Sequence, residues 1–134
     1  MIKVTQLEKE VMEQLLSNTD EPSRTLRKQY ELASIEKRSL TGTGFFTYFS
    51  VPEDAPRLGK EISAKFGDVT AEIQGLRFGA GFVLHVKSGA IEFLEGYSYE
   101  EPWPDNVTEF TLSRDRGLTE QQEKVFQNIR ERTS

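Results

Sequence analysis

The residues best suited to binding chemistry lie together in the stretch Leu94–Pro104, which reads LEGYSYEEPWP. It contains two tyrosines, the only tryptophan of the chain and three glutamates. Tyrosine and tryptophan are favoured at the centre of protein interfaces, and prolines reduce the ordering cost of binding. The predicted binding residues are Glu95, Tyr97, Tyr99, Glu100, Glu101, Trp103 and Asp105. The alternative is that Trp103 packs over the sheet edge as core, while the glutamates are merely solvated.

Charge around this stretch is one-sided. Between Lys87 and Arg114 the chain has six acidic residues and no lysine or arginine, while the whole chain has a net charge of −5. An acidic surface with aromatic anchors suits a basic protein partner and predicts salt-sensitive association. The acidic surplus also argues against nucleic-acid binding, which depends on lysine and arginine at the phosphate backbone.

A catalytic site based on histidine would depend on His85, because it is the only histidine. The pair Ser88-Gly89 separates two alternating runs, which predicts a two-residue hairpin turn. Counted from that turn, His85 lies opposite Glu92 and forms a cross-strand pair with it. We favour this structural role for His85 over a catalytic one, since the chain has no nucleophile-elbow motif.

The same register places Glu95 with Phe93 and Ile91 on the apolar side of the hairpin. A carboxylate there either takes a structural partner or lines a pocket. The alternative hypothesis for function follows from the second possibility. It is a small-ligand-binding domain or an unfamiliar enzyme, with a pocket between the helices and the sheet near Glu95, Tyr97 and His85.

Metal and cofactor sites find little support in the sequence. The chain has no cysteine, which excludes disulfides, thiolate metal ligands and a cysteine nucleophile. The acidic residues near Asn106 lack the regular ligand alternation of a calcium-binding loop. The glycine pairs at 42/44 and 79/81 precede strand-like runs and lack the lysine of a phosphate-binding loop, so they predict turns. We therefore predict no catalytic residue, no metal ligand and no cofactor, and favour a non-enzymatic protein.

The elements that position these residues are two N-terminal helices, an antiparallel sheet of about five or six strands and a C-terminal helix. Thr5 and Glu8 form a capping box before the first helical run, and Thr119 with Gln122 does the same for the last. Alternating or β-rich runs predict strands near 35–40, 45–51, 69–73, 82–95 (a hairpin) and 107–112. Grouped strands indicate the α+β class, with one domain over 1–134.

The N-terminal sequence has no continuous apolar segment, so it predicts neither a signal peptide nor a membrane span. The absence of cysteine suits a reducing compartment. The sequence thus predicts a cytoplasmic protein without a membrane partner, and it leaves the oligomeric state open.

Two segments resemble a family of small bacterial proteins of uncharacterised function: TGTGFFTYFSVP at 41–52 and GAGFVLHVKSGAIEFLEGYSYEEPWP at 79–104. In that family a G-x-G-F strand precedes a hairpin that ends in an L-E-G-Y motif and W-P. The resemblance covers about the middle half of the chain. It implies a soluble bacterial α+β domain and brings no catalytic residues with it. Small acidic single-domain proteins also include toxin-neutralising immunity proteins, an analogy of class only.

The leading hypothesis from the sequence is a non-enzymatic protein-interaction domain. Its acidic and aromatic surface over 95–105 is predicted to bind a basic protein partner, in an immunity- or antitoxin-like role.

Overall fold

The computed structural model describes residues 2–114. Two helices come first, α1 (Gln6–Leu15) and α2 (Glu21–Leu32). Six strands follow: β1 (Ser34–Leu40), β2 (Gly44–Ser50), β3 (Ala64–Ile73), β4 (Ala80–Lys87), β5 (Ala90–Ser98) and β6 (Phe110–Arg114). They form one antiparallel sheet in the order β1-β2-β5-β4-β3-β6. The predicted α+β class, with helices before an antiparallel sheet, is confirmed. The predicted C-terminal helix at 119 lies outside the described residues.

Both helices begin at side-chain caps. The Thr5 hydroxyl accepts a hydrogen bond from the Glu8 amide at 3.1 Å, and the Glu8 carboxylate accepts one from the Thr5 amide at 2.8 Å, so the predicted capping box is confirmed. Helix α2 begins at Glu21. The reason is that the Asp20 carboxylate caps the Ser23 amide at 2.9 Å, with a proline in the first turn.

The helices pack on one face of the sheet, α1 against β3, β4 and β6 and α2 against β5. Each strand sends alternate side chains toward them, and the core is continuous from one end of the sheet to the other. Burial of such side chains stabilises the fold by about 1.5–3 kcal/mol each. The largest fully buried apolar side chains are Phe66, Phe82, Met12, Leu15, Leu16, Leu26, Leu84 and Leu94.

The segment between β2 and β3 has no helix or strand over 52–63, and a buried glutamine of α2 holds it in place. The side-chain amide of Gln29 donates to the carbonyls of Pro56 and Gly89, both at 2.9 Å. Its oxygen accepts from the amide of Ile91 at 2.9 Å. One side chain therefore joins α2, this segment and the β4–β5 hairpin, and it is fully hydrogen-bonded although no part of it is exposed.

The β4–β5 turn forms at Ser88-Gly89 as predicted, with φ angles of 52° and 82°. Val86 faces Ile91 next to it. Beyond that pair β5 contains one additional residue, Glu92, which forms a bulge. The predicted His85–Glu92 pair is therefore wrong, because His85 faces Phe93 instead.

A one-residue shift moves the following side chains to the opposite face of a strand. Leu94 is completely buried against the helices, whereas Phe93 and Glu95 point away from them. The prediction that Glu95 shares the apolar core face with Ile91 is wrong for this reason.

Candidate functional site

The face of the sheet that points away from α1 and α2 carries a cluster of rings. Directly opposed residues point to the same side of a sheet, and the pairing aligns Phe46 with Glu95, Tyr48 with Phe93, and Phe93 with His85. We call this surface the aromatic face and define it by Phe46, Tyr48, His85, Phe93, Glu95 and Tyr97. All six side chains are half-buried.

Phe93 is the centre of this cluster. Its ring centroid lies 5.5 Å from that of Phe46, 5.4 Å from that of Tyr48 and 4.0 Å from that of His85, with which it stacks. At the margin, the Lys37 ammonium lies 5.5 Å from the centroid of the Tyr48 ring. Each ring pair is worth about 0.5–1.5 kcal/mol beyond its buried area, so the cluster is ordered before any partner arrives.

His85 and Glu95 are in contact on this face. Nε2 of His85 lies 3.3 Å from Oε1 of Glu95, and the two side chains are 17% and 32% exposed. The second oxygen of Glu95 has no hydrogen-bond partner within residues 2–114. The carboxylate therefore retains capacity for a donor from another molecule.

Tyr97 and Tyr99 extend the aromatic face toward the end of β5. The Tyr97 ring packs directly on Gly81, which leaves no space for a side chain at that position. Tyr99 meets it edge to face at 5.8 Å and is 50% exposed. Burial raises the pKa of Tyr97, with further contributions from Tyr99 and Glu95. Tyr97 is therefore an uncharged hydrogen-bond donor at neutral pH.

The remaining predicted binding residues lie apart from this face. The chain bends after Ser98, where Glu100 has a φ angle of 64° and is exposed. The Glu101 carboxylate accepts hydrogen bonds from the amides of Arg77 at 2.9 Å and Phe78 at 3.0 Å, so it closes the connection between β3 and β4. Asp105 is exposed further along the same segment.

Trp103 lies on the helix-covered side of the sheet. Its ring meets Phe45 edge to face at 5.4 Å, and its amide donates to the Gly42 carbonyl at 2.8 Å. It is half-buried against the core. The linear stretch thus divides: Glu95, Tyr97 and Tyr99 come together, while Glu100, Glu101, Trp103 and Asp105 do not join them.

The aromatic face also contains residues that the sequence did not assign to a site. In β2, Phe46 and Tyr48 alternate with the buried Phe45, Thr47 and Phe49. Because β2 has large side chains on both of its faces, its sequence already indicates that aromatic rings also lie on the outer side of the sheet. The predicted pocket between helices and sheet does not contain Glu95, Tyr97 or His85, because these residues lie on the other face.

Over residues 2–114, no helix is long and apolar enough to cross a membrane. In the same part of the chain, no group of three or more histidine, aspartate or glutamate side chains is arranged to hold a metal ion. In comparisons with protein-family models, curated proteins and solved structures, the chain matches none. The resemblance to a family of small bacterial proteins accordingly stays a prediction.

Proposed function

We propose that the protein is a non-enzymatic protein-interaction domain that binds a basic protein partner on the aromatic face. The observation that carries this proposal is the ordered ring cluster around Phe93, which is half-exposed on the outer side of the sheet. Guanidinium and ammonium groups bind the faces of aromatic rings. The contact of Lys37 with the Tyr48 ring is an example within the molecule.

Glu95 supports a basic partner rather than a neutral one. Its unused carboxylate oxygen lies beside the rings, so one cation of a partner has both a ring face and a carboxylate within reach. Arginine fits this combination best, because its planar group stacks on rings and forms forked hydrogen bonds.

The charges on the outer side of the sheet are separated along the strands. Lys37 and Lys65 occupy the row of residues that crosses the sheet through Phe93. Glu95 and then Glu72 follow toward the opposite end of the strands. A basic segment is attracted to the acidic end and repelled by the lysine row, which orients it on the face. An immunity- or antitoxin-like role, in which the face covers a basic surface of a toxin, is the most specific form of the proposal.

The test is affinity capture from a lysate of the source organism, at about 50 mM and about 300 mM salt. Wild type is compared with the double variant Phe46→Thr/Tyr48→Thr, which removes two rings while retaining strand-forming residues. Phe78→Thr is the matched control, because Phe78 is 63% exposed but lies outside the aromatic face.

We expect wild type and Phe78→Thr to retain the same basic protein at low salt and to release it at high salt. The double variant is expected to lose it, and Glu95→Gln to weaken its binding about tenfold, as for the loss of one charge-assisted hydrogen bond. The proposal would be wrong if all variants retained the same protein equally. It would also be wrong if the captured protein were acidic and its retention did not depend on salt.

A further inference from the structure

A cleft on the helix-covered side of the sheet has a chemistry of its own. It lies between the N-terminus of α1, the start of β2 and the segment 103–108, and its volume is about 580 Å³. Small-molecule sites commonly have volumes of about 300–1,000 Å³ and mostly apolar walls with a few polar groups. The apolar walls here include Leu7, Phe45, Trp103 and Val107.

The buried carboxylate of Glu8 forms part of this cleft, and its side chain is only 2% exposed. It accepts hydrogen bonds from the Thr5 amide at 2.8 Å, from Arg38 Nη2 at 2.6 Å and Nε at 3.0 Å, and from the Thr47 hydroxyl. Burial alone would raise the pKa of Glu8, but these hydrogen bonds outweigh it, and the pKa is lowered. Glu8 is therefore ionised and fully occupied by protein donors, so its role is to hold Arg38.

Arg38 has donor capacity left over. Its Nε and Nη2 bind Glu8, and Nη2 also donates to the Lys3 carbonyl at 3.0 Å. Nη1 has no partner within residues 2–114, and the Arg38 side chain, which is 24% exposed, is one of those that line the cleft. A rigidly held guanidinium with an unused donor therefore lies beside apolar walls.

The charge of that guanidinium is already balanced by Glu8. An uncharged acceptor gains the hydrogen bond without bringing a second charge into the cleft. A carboxylate ligand would lose hydration against a neutralised ion pair, and it would also approach Asp105 at the rim.

We propose that this cleft binds a small uncharged apolar compound that carries one hydrogen-bond acceptor, such as an ester or ketone carbonyl. Its apolar part packs on Trp103 and Val107, which line the cleft, and its carbonyl accepts from Nη1 of Arg38. The site uses no residue of the aromatic face, so its failure and the failure of the proposed protein-binding function are separate results.

Trp103 is the only tryptophan, so its fluorescence reports directly on the cleft. Two probes share one ring: methyl cyclohexanecarboxylate and the cyclohexanecarboxylate anion. We expect the ester to change the Trp103 emission saturably, with a Kd of about 1 mM, as is typical of so small a ligand. The anion should bind at least about fivefold more weakly, because it loses hydration beside an ion pair that is already neutralised.

Arg38→Lys keeps a positive charge beside Glu8 and removes Nη1, so it should weaken ester binding about fivefold. Val107→Phe fills the cleft while retaining Glu8 and Arg38, and it should abolish both titrations. Phe46→Thr, on the other face, should bind the ester as wild type does. Equal binding of ester and anion, an unchanged ester affinity in Val107→Phe, or no saturable response to the ester up to about 10 mM would each overturn the proposal.

Discussion

Charged side chains differ in burial and in hydrogen bonding between the two faces of the sheet. On the helix-covered face, Glu8 is 2% exposed and every hydrogen bond that it needs comes from Thr5, Arg38 and Thr47. On the aromatic face, His85 and Glu95 are partly exposed and share a single contact at 3.3 Å. A buried charge needs all of its hydrogen-bond partners within the protein. A half-exposed pair can leave hydrogen-bonding atoms unused, because water reaches them. The His85–Glu95 pair is therefore the one that can form a further hydrogen bond with another molecule.

The largest effect on stability should come from breaking the buried pair. Arg38→Ala leaves the Glu8 carboxylate desolvated without its main partner, so we expect the free energy of unfolding to fall by about 3–5 kcal/mol. Urea denaturation measures the loss. Lys28→Ala is the control, because the Lys28–Glu31 pair at 3.6 Å has side chains that are 57% and 64% exposed, and its loss should change stability by less than about 0.5 kcal/mol. Similar losses in both variants would remove the contrast between buried and exposed pairs.

Acid should weaken the helix-covered face through Glu8. A carboxyl whose pKa is lowered in the folded state stabilises the fold above its ordinary value, and this contribution is lost as the pH falls through the folded value. For Glu8 the ordinary value is 4.5, so the loss begins below about pH 4.5.

The measurement compares wild type with Glu8→Gln, which cannot titrate at this position. The stability difference between the two should be largest at neutral pH and shrink as the pH falls below about 4.5. A difference that stays constant between about pH 7 and pH 3 would mean that the Glu8 charge contributes nothing to stability.

The smallest effect on stability is expected on the aromatic face. Glu95→Gln removes a single contact between partly exposed groups, so thermal unfolding should report a change below about 0.5 kcal/mol. The same variant is expected to weaken partner binding about tenfold, so its effect on binding is much larger than its effect on stability. A stability loss above about 2 kcal/mol would mean that Glu95, like Glu8, stabilises the fold, and the contrast between the two faces would then not hold.

Local signals predicted much of the fold because they act over a few residues. The capping box at Thr5 and the turn at Ser88-Gly89 each depend on neighbouring side chains and backbone, and both form as predicted. Local signals could not predict the register of β5 beyond the turn. Phe93 and Leu94 are both apolar, so either could face the core, and the bulge at Glu92 is selected by packing across the whole sheet.

The candidate site was only partly accessible from sequence for a similar reason. Alternation along a strand puts Glu95 and Tyr97 on the same face, and Tyr99 follows at its end. Trp103 and Glu101 separate from them because their partners, such as Gly42 and Arg77, are distant in sequence. Contacts of that kind have no local signal.

The amide of Gln29 has a consequence for how the molecule opens. It connects a helix, an irregular segment and a hairpin turn through three backbone groups, and separating these parts would leave polar atoms of the buried Gln29 without partners. The three parts should therefore open together as one cooperative unit. The irregular segment over 52–63 should therefore open only when α2 does, rather than by itself.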